Sequence, residues 1–295
     1  MKNKILFTLF FLFSIYLNAQ INDSLPQVLI VTAHPDDESG FAATVYKITH
    51  ELHGVVDLAV ITNGEAGYKY SLLAESYYNV KLTDEATGRK YLPTIRKKEL
   101  MAAGNILGIS NYYFFDQQDN HYTLDVDTVL KEVWNVSLVK KRLHDIIENG
   151  KYDFIFCLLP TEETHGHHKG ATILALQTVS ELSSRKPVIL GASTSGKNDT
   201  TSVLFHGLKN FPLTTITDTS PISSIDRNVS FGFKNQLTYK IIVNWEIAEH
   251  KSQGSMQTFM NRGDYENFWY FGMNGNAGRE NVKKLFEKLN HSVIK

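Results

Sequence analysis

The chain has 295 residues, 42% of them hydrophobic, with 30 basic and 31 acidic side chains and a formal net charge of −1. That balance gives no electrostatic argument for a nucleic-acid or anionic-membrane partner. One cysteine, Cys157, excludes an internal disulfide and a thiolate-rich zinc site, so any metal must be held by nitrogen and oxygen.

The N-terminus reads as a signal peptide: Met1-Lys2-Asn3-Lys4 is basic, Ile5 to Leu17 is almost wholly apolar, and Asn18-Ala19-Gln20 closes the stretch with a small residue. The expected division is residues 1–19 as signal and 20–295 as one α/β domain. The mature protein is then exported to the periplasm or beyond, with no stable membrane insertion. Leu17 matches the small-residue preference before the cut poorly, and an uncleaved anchor is the alternative. Nothing in the sequence fixes the oligomeric state.

From Val28 the chain alternates strand-like and helix-like stretches. Strands are expected at Val28–Thr32, Val55–Thr62, Tyr112–Phe115, Tyr152–Leu159 and Pro187–Leu190. Helices are expected at Ser39–Leu52, Thr94–Leu107 (stopped by Gly108), Thr128–Glu148 and Gly170–Leu182. Continuous apolar strands separated by helices predict a Rossmann-like, mostly parallel sheet covered on both faces. Cys157 lies inside an expected strand and reads as an inert core thiol. Gly64 to Pro93, rich in tyrosine, is either a substrate-covering loop or a surface insertion. Beyond Gly191 the pattern blurs. Short strands are expected at Val203–Phe205 and Val229–Phe233, a helix toward the end of Leu237–His250, and an amphipathic helix at Arg279–Leu289.

Ala33-His34-Pro35-Asp36-Asp37-Glu38 follows the first strand, and Thr164-His165-Gly166-His167-His168-Lys169 follows the fourth. Alone, the first reads equally well as a polar turn with a helix cap, and the second as a solvated histidine-rich loop. Ligands in such sheets bind beyond the carboxyl ends of strands, which puts both clusters on one edge. His34 and Asp37, separated by two residues, can face one point across a tight turn, and His168 can complete a three-ligand zinc site with a fourth position open. Asp36 is then free to take a proton from water on the metal. His165, one helical turn before His168, can approach a bound carbonyl as an imidazolium, to stabilise an oxyanion or protonate a leaving amine. His167 is expected behind the site or on the surface. Asp116 and Asp119 either line the same edge or cap helices.

Both clusters resemble the zinc-dependent PIG-L/LmbE-like N-deacetylases, which act on N-acetylglucosamine-containing glycoconjugates. Further likeness lies in Thr62-Asn63-Gly64-Glu65-Ala66-Gly67, in Arg96-Lys97-Lys98-Glu99-Leu100 and in Ala248-Glu249-His250-Lys251-Ser252-Gln253. The resemblance implies His34, Asp37 and His168 as ligands to Zn2+ (Fe2+ the alternative), Asp36 as general base and His165 as transition-state stabiliser. It implies Arg96 as a sugar-side contact. His250 is either a substrate-side group or a core histidine. One departure stands out: the second motif often reads His-Pro-Asp-His, and here Gly166 and His167 occupy its middle. The expected substrate is an N-acetylated sugar or glycoconjugate, and compartment alone favours cell-wall fragments, chitin-derived sugars or exopolysaccharide. A nucleotide-binding dehydrogenase is disfavoured because no Gly-x-Gly-x-x-Gly follows the first strand. A metal- or glycan-binding protein without catalysis is the remaining rival.

Overall fold

A computed structural model describes residues 25–293, so the expected signal segment lies outside the described residues. In chain order the elements are β1 (Gln27–Thr32), α1 (Ala42–Tyr46), β2 (Val55–Thr62), α2 (Glu75–Tyr78), α3 (Glu85–Leu107), β3 (Asn111–Gln117), α4 (Val126–Thr128), α5 (Val136–Gly150) and β4 (Phe154–Leu158). They continue as α6 (Gly166–Glu181), β5 (Val188–Ser195), β6 (Ser223–Asp226), β7 (Ser230–Phe231), β8 (Leu237–Thr238), α7 (Tyr239–Glu249), α8 (Gly254–Gln257), β9 (Tyr265–Tyr270) and α9 (Ala277–His291).

Seven strands form one sheet in the order β3-β2-β1-β4-β5-β9-β6. The first five strands run parallel, and β9 joins β5 and β6 antiparallel. This is the expected α/β architecture. Successive residues of β1 feed opposite faces: Val28 and Ile30 pack under α1, α3, α7 and α9, while Leu29 and Val31 pack under α5 and α6. Burial on both faces explains why the strand reads as an unbroken apolar run. The order reverses between β1 and β4, and a crevice opens at such a switch point. Both histidine-bearing turns leave the sheet there.

Several elements depart from expectation. Gly64 to Pro93 is helical: a 3-10 stretch over Glu65–Ala74, then α2, then the first turns of α3. The Asp84 side chain caps α3 by accepting from Thr87 N–H at 2.9 Å, and Pro93 is accommodated inside it. Gly108 ends α3 at φ +77°, as expected of a left-handed stop. The expected Thr128–Glu148 helix breaks at Trp134, and α6 begins four residues early, at Gly166. Val203–Phe205 forms no strand, whereas β6 and β9 were not foreseen. Cys157 is fully buried, and burial pushes its thiol up, as an inert core group requires. Among the described residues no helix is long and apolar enough to cross a membrane.

Candidate metal centre and active site

Beyond Thr32 the chain folds back on itself, with Asp36 and Asp37 N–H groups both directed to His34 O at 3.1 and 3.3 Å. Asp36 sits at φ +152°, a conformation L-residues rarely adopt and one that costs on the order of 1–3 kcal/mol. The turn brings the His34 and Asp37 side chains together. Asp37 Oδ2 accepts from Ala33 and His34 N–H at 3.0 and 2.8 Å, which aims Oδ1 outward to His168 Nε2 at 3.1 Å. His34 Nδ1 lies 3.1 Å from the same His168 nitrogen and 3.6 Å from Asp37 Oδ2.

His165, His167 and His168 stand at the start of α6. His165 is its cap: Nδ1 accepts from His167 N–H at 3.0 Å. Gly166 is required here, since a Cβ would fall 2.9 Å from Asp125 O, and its N–H donates to Thr123 O at 2.6 Å. The β3–α4 loop is thereby drawn against the histidines.

The trio His34, Asp37 and His168 fits a divalent cation. Ligands at 2.0–2.2 Å in tetrahedral array lie roughly 3.3 Å apart, close to the spacings found. The distal ring nitrogens have partners too: His168 Nδ1 faces Thr164 Oγ1 at 3.1 Å, and His34 Nε2 faces His167 Nδ1 at 3.1 Å and Asp119 Oδ1 at 3.8 Å. Such partners fix the tautomer and orientation of metal-binding imidazoles. Burial opposes ionisation of Asp37, but its interactions with His168 and the hydrogen bonds from both histidines hold its carboxyl well below the usual range.

Asp36 is not one of the converging ligands. Its Oδ2 lies 2.9 Å from Arg96 Nη2, while burial pushes its carboxyl up against the pull of that guanidinium. Arg96 also donates to Pro35 O at 2.8 Å and Gly64 O at 2.7 Å. It lines the cavity, and both terminal nitrogens make protein contacts. Arg96 thus holds Asp36 and its turn from within the cavity wall. One helical turn on, Glu99 accepts from Ser252 N–H and Oγ at 2.8 and 2.6 Å and from Tyr78 OH at 2.7 Å. Arg-x-x-Glu thus ties three loops together.

The trio opens into a cavity of about 220 Å³ whose base is His34, Asp36, Asp37, His165 and His168. Tyr68 and Tyr70 from the 64–93 stretch, Tyr122 after β3 and Gln253 before α8 form its walls. The stretch therefore covers the site, as one of its two readings held. Asp119 lines it as well, whereas Asp116 is exposed and pairs with Lys97. Sequence reasoning missed Tyr122, Gln253 and the link of Glu99 to Ser252.

Two expectations change. The His165 imidazole is pushed down to about 2 by burial and by the neighbouring His34, His167 and His168, and its Nδ1 is already an acceptor. It offers Nε2–H as a neutral donor, not as an imidazolium. His250 does not reach the cavity: fully buried, its Nε2 lies 2.6 Å from Glu38 Oε1 and 3.2 Å from Glu246 Oε1, so the substrate-side reading gives way to a core one.

The family model described as PIG-L, GlcNAc-PI de-N-acetylase, matches residues 29–179, half of the chain. No curated protein sequence matches. Among solved structures, the A40926 pseudoaglycone deacetylase aligns at TM-score 0.53 and 15% identity, covering 84% of this chain and 97% of its own. A triple mutant of a deacetylase of teicoplanin biosynthesis aligns at 0.52 and 17%, covering 83% and 97%. The 4-carboxy-2-hydroxymuconate hydratase GalB from Pseudomonas putida KT2440 aligns at 0.53 and 14%, covering 83% and 95%. At these identities the structures support the fold alone, and hydratase and deacetylases share it. The family match spans both histidine turns, and the chain belongs to the PIG-L family.

Proposed function

We propose that this chain is a zinc-dependent amidohydrolase that removes the acetyl group from an N-acetylated amino sugar or glycoconjugate. The observation that carries the reading is the division of labour at one turn: Asp37 converges with His34 and His168, while adjacent Asp36 is held apart by Arg96. A metal-binding site alone has no use for a second, strained carboxylate clamped beside it. Zinc held by His34, Asp37 and His168 would supply Lewis acidity and acidify water. Asp36 accepts the proton of the attacking water, its raised pKa favouring that role. His165 Nε2–H donates to the acyl oxygen as negative charge develops there. When the C–N bond breaks, Asp36 returns the proton to the nitrogen, leaving acetate and a free amine. The tyrosines of the wall offer flat apolar faces to a sugar ring.

The test is a screen of N-acetylated mono- and oligosaccharides for free amine and acetate with zinc-loaded protein. Release from none of them, with metal bound, would favour the binding-protein reading. Export as one α/β domain after residue 19 belongs to the same proposal. N-terminal sequencing of the extracytoplasmic product should begin near Gln20, and a product retaining Met1 in membranes would favour the anchor.

A further inference from the structure

The structure assigns the side-chain oxygen of Gln253 as the acceptor that reads one ring hydroxyl of the substrate, so the accepted sugar must carry a free hydroxyl at that position. The inference rests on the N-acetyl sugar reading of the site and adds a specificity-determining residue to it. Gln253 lines the cavity and is only 2% exposed, so the surface it keeps faces the cavity. Its backbone is pinned on both sides: its N–H donates to His250 O at 3.0 Å, and its carbonyl accepts from Met256 N–H at 3.0 Å. The direction of the amide follows from its neighbours. Nε2 lies 2.8 Å from Ser252 O, which can only accept, so the NH2 end must stand there. Nε2 also lies 3.3 Å from Ser252 Oγ. That hydroxyl gives its own hydrogen to Glu99 Oε2 at 2.6 Å, so toward Gln253 it accepts as well. Both amide hydrogens are thus committed to Ser252. No protein donor among the described residues reaches Oε1, which opens on the cavity. Gly67, also in the wall, gives the amide its room: a Cβ there would stand 2.5 Å from Oε1 and 2.8 Å from Nε2. An acceptor that a bound ligand cuts off from water must be met by a donor of that ligand. The acetamido N–H travels with the bond to be cut toward the base of the cavity, which leaves the ring hydroxyls as donors for the wall.

The test is an enzyme–substrate cycle on the zinc-loaded full chain. The parent and Gln253→Met are compared by acetate release on an accepted N-acetyl sugar and on its monodeoxy forms, one hydroxyl removed at a time. The parent should lose about 10- to 100-fold in kcat/KM on one of these forms. The matching fluoro sugar, which can accept a hydrogen bond but not donate one, should be rejected as strongly. Gln253→Met should fall toward the parent's deoxy level on the intact sugar and treat the intact, deoxy and fluoro sugars alike, within about threefold. A scaffold role through Ser252 would lower all the sugars together and leave the preference intact. Preference retained in Gln253→Met, a fluoro sugar accepted like the intact one, or a parent that discriminates against no deoxy form overturns the inference. Should Gln253→Met fold poorly, Gln253→Asn, which keeps the amide but withdraws it by one methylene, must show the same loss of preference. A parent that releases acetate from no N-acetyl sugar overturns the deacetylase reading itself, and this inference with it.

Discussion

Arg96 Nη2 stands 2.9 Å from Asp36 Oδ2 and 2.8 Å from Pro35 O, so one guanidinium holds both the carboxylate and the backbone just before it. The residue held is the one at φ +152°. A strained conformation persists only where its surroundings over-determine it. Here the surroundings are Arg96 on one side of the turn and Glu38, pinned by His250, on the other.

Arg96→Lys keeps a positive charge but cannot span Asp36, Pro35 and Gly64 with one planar group. We expect kcat to fall by about 10²-fold through misplacement of Asp36, with KM and zinc content close to the parent's. A direct sugar contact would show the reverse, a raised KM with kcat retained. Steady-state kinetics on an accepted N-acetyl sugar decides between them.

The two adjacent aspartates should separate cleanly. Asp36→Asn should bind zinc as the parent does and lose turnover by roughly 10²- to 10⁴-fold. Asp37→Asn removes a converging oxygen and should lose zinc and activity together. Metal analysis beside acetate release reads both. Loss of zinc from Asp36→Asn would mean that the two roles are exchanged.

The strand exits were legible because β1 and β4 are buried on both faces and end in groups that a core has no use for. The His34 and Asp37 pair follows from spacing, since a turn with two residues between them needs no distant contact, and His168 joins them because both turns leave one edge of the sheet. What escaped are the partners that fold from far away. For Asp119 the sequence leaves the site edge and a helix cap equally open, and only the β3 exit laid against α6 decides for the site. Glu266 disguised β9: it is a fully buried carboxylate that accepts from Ala43 and Thr44 N–H at 2.8 Å, so a central strand carries a charge where an apolar residue is expected. Pro93 disguised the early start of α3, although Asp84 three residues before Thr87 was the capping signal. His250 is legible as a candidate but its direction is not, because burial decides whether a polar side chain serves the substrate or the scaffold.

His165 offers a neutral N–H, so a neutral donor should replace it in part. His165→Ala should cost about 10²–10³ in kcat, the usual loss for one donor to a developing oxyanion. His165→Gln should recover a measurable part of that, with zinc content unchanged in both. Equal losses in the two variants would indicate that proton transfer, not hydrogen bonding, is what the position supplies.

The buried group Glu38, Glu246 and His250 should leave a mark on stability against pH. Burial pushes the Glu246 carboxyl up to about 8 from an ordinary 4.5, with Glu38 adding to the rise and His250 opposing it. Between those values the folded chain keeps a proton that the unfolded chain releases, so stability falls as pH rises through that window. His250 acts in the same sense. Burial alone would lower it, but Glu38 and Glu246 raise it well above 6.5, and its contribution is full below that value and lost as pH rises through the folded one. Glu246→Gln keeps a donor toward Glu38 and cannot ionise. Its melting temperature should therefore fall less steeply than the parent's from about pH 5 to about pH 8, and its advantage should be largest at the alkaline end. Thermal melts of both proteins across that range, in one buffer system with the same metal load, give the comparison. Parallel curves would show that Glu246 is already ionised near neutrality, and that another donor neutralises the pair.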